Sequence, residues 1–351
     1  MENIEISYTA RYVPPEVIDN QRLTEFMDTS DEWISQRTGI KKRHISLNES
    51  TADLAEKVAE KLLIKSGWNP NSLDLIIVAT MSPNSFTPAT AAIVQGRISA
   101  DNAVCFDISA ACSGYIYGLS IVEAMLRNMN LKRAMLIGSE NLSKLIDWND
   151  RSTAVLFGDG AAGALIELKE DTNSKFISSD LKTIGNEAEF LTAGITNPLE
   201  KFPDLDSIRK YTTFKMDGRR VYTFATREVP QSILRAVQKA NFSLEDIDYF
   251  ILHQANSRII RQVAKKLKQD EEKFPINIDS FGNTSAASEP LLLDELIENG
   301  TVKRGMTLAL SGFGCWSCLF SIFSVIFIHP FLTLIDNFIL QNNRSTKTKN
   351  R

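Results

Sequence analysis

Cys112 is the residue whose type and place could most directly do chemistry. It lies in Asp107-Ile108-Ser109-Ala110-Ala111-Cys112-Ser113-Gly114, where an apolar, strand-like run at 103–106 gives way to a helical pattern over 115–129. A thiol at a helix N-terminus sits at the positive end of the macrodipole, beside unpaired backbone N–H groups. Both favour the thiolate, the form that attacks carbonyls. Taken alone, a free cysteine more often packs as a small apolar side chain. Two other residues bear on the choice. Of three histidines, at 44, 253 and 329, only His253 lies at the end of a strand in the frame of the internal repeat. An isolated histidine there is more often a hydrogen-bonded core residue. Asn283, in Phe281-Gly282-Asn283-Thr284-Ser285, reads by itself as a turn or cap residue.

What could bring these three together is an internal repeat. The segment 68–78 resembles 242–252, with Leu73 and Ile247 offset by 174; Lys132-Arg133 matches Lys303-Arg304 at 171, and Asp107 matches Asp279 at 172. Three matches in one order predict two copies of an αβ unit meeting within 170–180. Each copy reads as amphipathic helix, loop, buried strand, turn, helix and strand, an alternation that predicts a sheet covered by helices. Cys112 then opens the helix after a strand in the first copy, and 281–285 is the equivalent point in the second. Thr80 corresponds to Gln254, so His253 ends the matching strand. Ligands gather beyond the carboxyl ends of strands in such sheets. Two facing copies would therefore join Cys112, His253 and Asn283 at one site.

Composition sets outer bounds. At 351 residues, with 43% hydrophobic and 23% charged residues, the chain reads as soluble and globular. Cysteines at 105, 112, 315 and 318 make no disulfide framework, which predicts a reduced, cytoplasmic setting. The first residues have neither the basic nor the apolar region of a secretory signal. A net charge of −4 argues against a general nucleic-acid binder.

The motifs around Cys112, Ile251-Leu252-His253-Gln254-Ala255-Asn256 and Phe281-Gly282-Asn283-Thr284-Ser285-Ala286 resemble β-ketoacyl-acyl-carrier-protein synthase III, the initiating condensing enzyme of fatty-acid synthesis. Further matching segments lie at 31–40 and 150–160, and the resemblance runs to about Gly314. Asn283, where elongating ketosynthases have a second histidine, favours the type III enzymes. The resemblance implies an α/β, thiolase-like fold of two pseudo-repeated halves in αβαβα layers. The domains are then 1–172 with the nucleophile, 173–314 with His253 and Asn283, and an atypical tail at 315–351.

The same resemblance implies a decarboxylating Claisen condensation of an acyl-coenzyme A primer, acetyl-coenzyme A first among them, with malonyl-acyl carrier protein. Cys112 would carry the acyl group as a thioester, while His253 and Asn283 donate to the enolate oxygen. Trp33, Arg37 and Arg151 would hold the nucleotide end of coenzyme A; without the resemblance they read as packing and surface ion pairs. Gln254 and Arg258 would meet the carrier protein. Arg258, Arg261, Lys265 and Lys268 share one face of the helix after His253, opposite Ile260, Val263 and Leu267. Such a face is either simply solvated or steers an acidic partner. No cofactor or metal is implied beyond the coenzyme A substrate, and the family implies a homodimer.

Two patterns mislead. Gly158-Asp159-Gly160-Ala161-Ala162-Gly163 satisfies G-x-G-x-x-G, but 164–168 reads as a strand, not the helix a dinucleotide fingerprint must open. Cys315-Trp316-Ser317-Cys318 lacks a second pair of ligands at zinc spacing. It also marks a departure. The family continues after Gly314 with more glycine, whose backbone N–H completes the oxyanion hole, then a short strand and a stop. Here the glycines give way to Cys315-Trp316-Ser317, an abrupt change that suggests a shifted reading frame or a divergent end. The segment 319–328 is expected to replace the last strand. A membrane anchor is the lesser reading, since the apolar run 315–328 falls short of the roughly 20 residues a span needs; a disordered end is the third. Two rival functions follow: a catalytically impaired paralogue, and a thiolase-fold enzyme working on coenzyme A esters alone.

Overall fold

The strand Leu75–Ala79 is apolar and buried along its whole length, as a parallel strand covered on both faces must be, and two sheets repeat one plan around such strands. The computed structural model describes residues 3–170, 172–195 and 212–314, with the backbone of a strand at 318–325. The first sheet contains β1 (Asn3–Tyr12), β2 (Leu75–Ala79), β3 (Val104–Ile108), β4 (Arg133–Glu140) and β5 (Gly160–Lys169), ordered β1-β5-β4-β2-β3. The second contains β6 (Lys175–Lys182), β7 (Tyr249–Leu252), β8 (Thr307–Gly314) and β9 (Cys318–Val325), ordered β6-β9-β8-β7.

The pairing senses match as well. β2 is parallel to β3 and β4, and β7 is parallel to β8; the remaining pairs are antiparallel in both sheets. β2 and β7 start 174 residues apart, and so do β4 and β8. The expected match of Lys132 with Lys303 is therefore three residues out of register. The first basic pair straddles the start of β4, whereas Lys303-Arg304 ends before β8 begins.

Side-chain alternation along the strands builds the layers. Leu75, Ile77, Ala134 and Leu136 point inward with Ile251, Leu308 and Leu310 from the second sheet, onto α4 (Gly114–Asn128) and α7 (Ser288–Glu298). Ile76, Val78, Met135 and Ile137 point outward onto α2 (Thr51–Ser66) and α3 (Thr90–Arg97). Phe250, Leu252, Ala309 and Phe313 point outward onto α5 (Gly218–Ala240) and α6 (Ser257–Leu267). The result is the layered αβαβα, thiolase-like fold. α1 (Asp31–Thr38) lies outside these layers, capped by Ser30 and ended by Gly39 at φ 86°. α2 begins with a capping box between Ser50 and Asp53. Asp107 receives the Thr90 and Ala91 N–H groups at 2.6 and 2.7 Å, anchoring the start of α3 to the strand that leads to Cys112.

The run expected to close the second sheet does so as β9, paired with β8 from Thr307 opposite Val325 to Gly314 opposite Cys318. The rest of the tail and the Cys315-Trp316-Ser317 turn lie outside the described residues. Among the described residues no helix is long and apolar enough to cross a membrane. The glycine-rich run at 158–163 enters β5, not a helix. A side chain at Gly163 would run into the backbone of Leu136 and Ile137, so this glycine permits close pairing of β5 with β4.

Candidate active site

Cys112 lies in the tight turn Ala111–Ser113 that leads into α4, and only 7% of it is exposed. Ala111 holds φ 45°, a left-handed conformation that costs a residue with a β-carbon about 1 kcal/mol or more. The end of β8 passes against this turn. A β-carbon at Gly314 would stand 2.5 Å from Cys112 Cβ and 2.8 Å from its Sγ, so the glycine makes room for the thiol.

His253 follows β7, its N–H donating to Ser311 O at 2.9 Å and its ring edge-on to Phe313 at 5.3 Å between centroids. Its Nδ1 is sealed from solvent without a hydrogen-bond partner. Burial pushes the imidazole down to about 3, so the ring is neutral at any working pH. Asn283 is fixed by its backbone, its N–H donating to Leu156 O at 2.9 Å and its carbonyl accepting from Gly158 N–H at 3.0 Å. Its Oδ1 accepts from Ser285 N–H at 2.9 Å. Asn283 thus does act as a turn residue, and the same bond sets the amide so that Nδ2 remains as donor. Ser285 holds φ 48° and stands 174 residues after Ala111, its counterpart in the repeat.

Cys112, His253 and Asn283 line one cavity of about 910 Å³, together with Gly314. Trp33, Arg37 and Arg258 line it too. Arg37 stacks on the Trp33 ring with its guanidinium carbon 4.6 Å from the centroid, and Arg151 lies 5.3 Å from the same ring. Arg151 is also held by the carbonyl of Asp28. Arg258, Arg261, Lys265 and Lys268 are all exposed, while Ile260, Val263 and Leu267 are buried. Gln254 does not fit the surface contact expected of it. It is 1% exposed, donating to Leu252 O at 2.8 Å and accepting from Asn277 N–H at 3.1 Å. Its amide ties the turn after β7 to the segment before Asn283 and offers nothing to a docking protein.

Residues 106–185 match the family profile described as 3-Oxoacyl-[acyl-carrier-protein (ACP)] synthase III, and 237–318 match the profile of its C-terminal part. A curated relative from Limosilactobacillus reuteri, named Beta-ketoacyl-[acyl-carrier-protein] synthase III, is 54% identical over 314 residues, 90% of this chain and 96% of its own. The chain belongs to the synthase III family. Among solved members, 3-oxoacyl-[acyl-carrier-protein] synthase III from Aquifex aeolicus is 36% identical with a TM-score of 0.84, covering 93% of this chain and all of its own. The enzyme from Thermus thermophilus is 37% identical at 0.84, covering 92% and 98%.

Several wall residues gave no signal in the sequence. Phe157 and Phe214 stack at 4.5 Å between centroids beside the cavity, and Met81 reaches it from the turn after β2. Met81 and Phe214 come from separate loops with no motif or period, and Phe157 lies in the matching segment 150–160 with nothing there to mark it as a wall residue. Asn256 ends the motif 251–256; it caps α6 through Arg258 N–H at 2.8 Å and donates to Arg37 O at 3.0 Å.

Proposed function

We propose that the chain condenses an acyl-coenzyme A primer, acetyl-coenzyme A first among them, with malonyl-acyl carrier protein to give 3-oxoacyl-acyl carrier protein. The observation that carries this reading is the convergence of Cys112, His253 and Asn283 on one cavity, in a chain half identical to named synthases over nine-tenths of its length. That identity also weighs against an impaired paralogue.

The Cys112 thiolate attacks the primer's thioester carbonyl, and the tetrahedral adduct expels the coenzyme A thiol, leaving an acyl-cysteine. Malonyl-carrier protein then loses its free carboxylate as carbon dioxide. The freed electron pair moves toward the thioester, whose oxygen gains negative charge. A neutral His253, with Nδ1 walled off, supplies one N–H toward that oxygen, and Asn283, with Oδ1 occupied, supplies another. Removing one such donor costs about 10²–10³ in rate. The enolate carbon attacks acyl-Cys112, and collapse of that adduct returns the thiolate. Trp33, Arg37 and Arg151 suit the nucleotide end of coenzyme A. Arg258, where the basic face of α6 meets the cavity mouth, suits the acidic carrier protein.

A homodimer is part of this reading, because β3 forms an edge of its sheet with Val104 53% exposed. A cytoplasmic setting fits the free thiol of Cys105. Intact-mass measurement after addition of acyl-coenzyme A should show an acyl adduct that Cys112→Ser abolishes. An adduct of unchanged yield in the variant removes Cys112 from this role.

A further inference from the structure

Arg43 is a buried cation with no part in the reaction above. It belongs to the short antiparallel pair Val17–Asp19 and Lys42–His44, outside the two main sheets, and none of it is exposed. Its hydrogen-bond partners are all neutral oxygens. Nη2 donates to Val155 O and to Asn20 Oδ1, each at 2.9 Å, and Nη1 donates to Ile18 O at 3.3 Å. Val155 stands next to Leu156, whose carbonyl accepts the Asn283 N–H at 2.9 Å. Gly158 N–H donates to Asn283 O at 3.0 Å, so Phe157 and Asn283 pair as a parallel bridge between the copies. The stem of Arg43 closes over that bridge. A β-carbon at Gly158 would stand 3.1 Å from Arg43 Cβ, and one at Gly282 would stand 3.2 Å from it. The neighbours of Arg43 extend the hold. Lys41 N–H donates to Asp279 O at 3.0 Å, His44 O accepts from Asp159 N–H at 2.8 Å, and the His44 ring stacks on Phe281 at 5.7 Å between centroids.

We propose that Arg43 is a positioning residue for the decarboxylation step, fixing through Val155 and Leu156 the backbone from which the Asn283 amide donates. This role rests on the condensing function above. Two constraints aim the amide: the Ser285 N–H on Oδ1 sets its rotation, and the bridge to 156–158 sets its origin. A donor matched to a developing charge gains from a backbone locked in place, and a small displacement weakens it. Arg43 supplies that lock at a cost. Burial pushes its guanidinium down to about 10, which leaves it charged in the working range, and a buried charge without a counter-ion at hand is expensive. Its hydrogen bonds lead to the Asn283 side of the cavity, not to the turn that carries Cys112. One of them also reaches α1, because Asn20 Nδ2 donates to Asp31 Oδ1 at 2.8 Å. Primer affinity is therefore kept out of the readout by saturating the chain with acyl-coenzyme A.

The two half-reactions separate this role from a general structural one. Cys112 acylation is followed by intact mass and coenzyme A release, and decarboxylation by carbon dioxide release from malonyl-carrier protein. Arg43→Lys keeps the charge and the stem but loses the fork that spans Asn20 and Val155. Its decarboxylation should fall about tenfold, as for a donor displaced by a fraction of an ångström, with acylation at saturating primer kept within about twofold. In an Asn283→Ala background Arg43→Lys should cost decarboxylation nothing further, because both changes act through one amide. Arg43→Met removes the buried charge on an unbranched stem, a change that folded proteins often tolerate, and gives the same readouts where lysine fails to fold. Equal loss in both half-reactions, undiminished decarboxylation, or a further loss in the Asn283→Ala background overturns the proposal. A native chain that acylates without ever forming a 3-oxoacyl product overturns the synthase reading along with it.

Discussion

Buried ionisable groups set how single residues here answer to pH. Glu289, in the first turn of α7, is fully buried and neither carboxyl oxygen has a partner, so burial holds its carboxyl well above the ordinary range. The folded chain keeps this proton where the unfolded chain has lost it. Its contribution to stability is therefore complete below about 4.5, the usual carboxyl range, and is lost as pH rises through the folded value. Thermal melts from pH 5 to 9 should show the native chain losing a few degrees relative to Glu289→Gln as pH rises; parallel curves contradict a neutral Glu289. His253 has the opposite sign. Its stabilising neutrality is complete above about 6.5 and is lost as pH falls toward about 3. The place of Cys112 in the fold was legible from its neighbours, an apolar strand before it and a helical pattern after it. Glu289 was not: an acid in a helix's first turn reads as a surface residue favoured by the dipole, and only the packed molecule reveals its burial.

At the scale of elements, the end of β8 and the helix α6 carry the clearest expectations. Gly314→Ala would drive a methyl group into Cys112, so the acyl adduct should disappear and stability fall by about 1–3 kcal/mol. Denaturant melts and intact mass together check this; normal acylation contradicts the close approach. Arg258→Glu should raise KM for malonyl-carrier protein about tenfold and flatten its dependence on salt, since the exposed face of α6 acts by charge. Steady-state kinetics at two ionic strengths decide it. The strands themselves were legible in their apolar runs, and the copies in their spacing. The Lys132 match slipped because charges flanking a strand are free to stand one turn nearer or farther. Gln254 was misplaced because adjacency to His253 says nothing about whether a side chain turns inward.

At the scale of the whole molecule, the repeat places the three site residues and the cavity joins them, but the wall that shapes the cavity escapes the sequence. Phe157, Phe214 and Met81 meet only after both copies have packed, so no window of neighbouring residues contains the information. The open edge at β3 gives the corresponding prediction for assembly. Val104→Lys should shift the chain from dimer to monomer in size-exclusion chromatography with light scattering, and an unchanged mass contradicts an interface at that edge.

Ala111 and Ser285 occupy matching positions in the two copies, one beside Cys112 and one beside the Asn283 amide, and both bear the same unfavourable backbone. The duplication has thus kept a tension that a glycine at either position would release. Ala111→Gly should melt at a higher temperature yet turn over more slowly, trading rigidity at the reaction centre for thermal resilience.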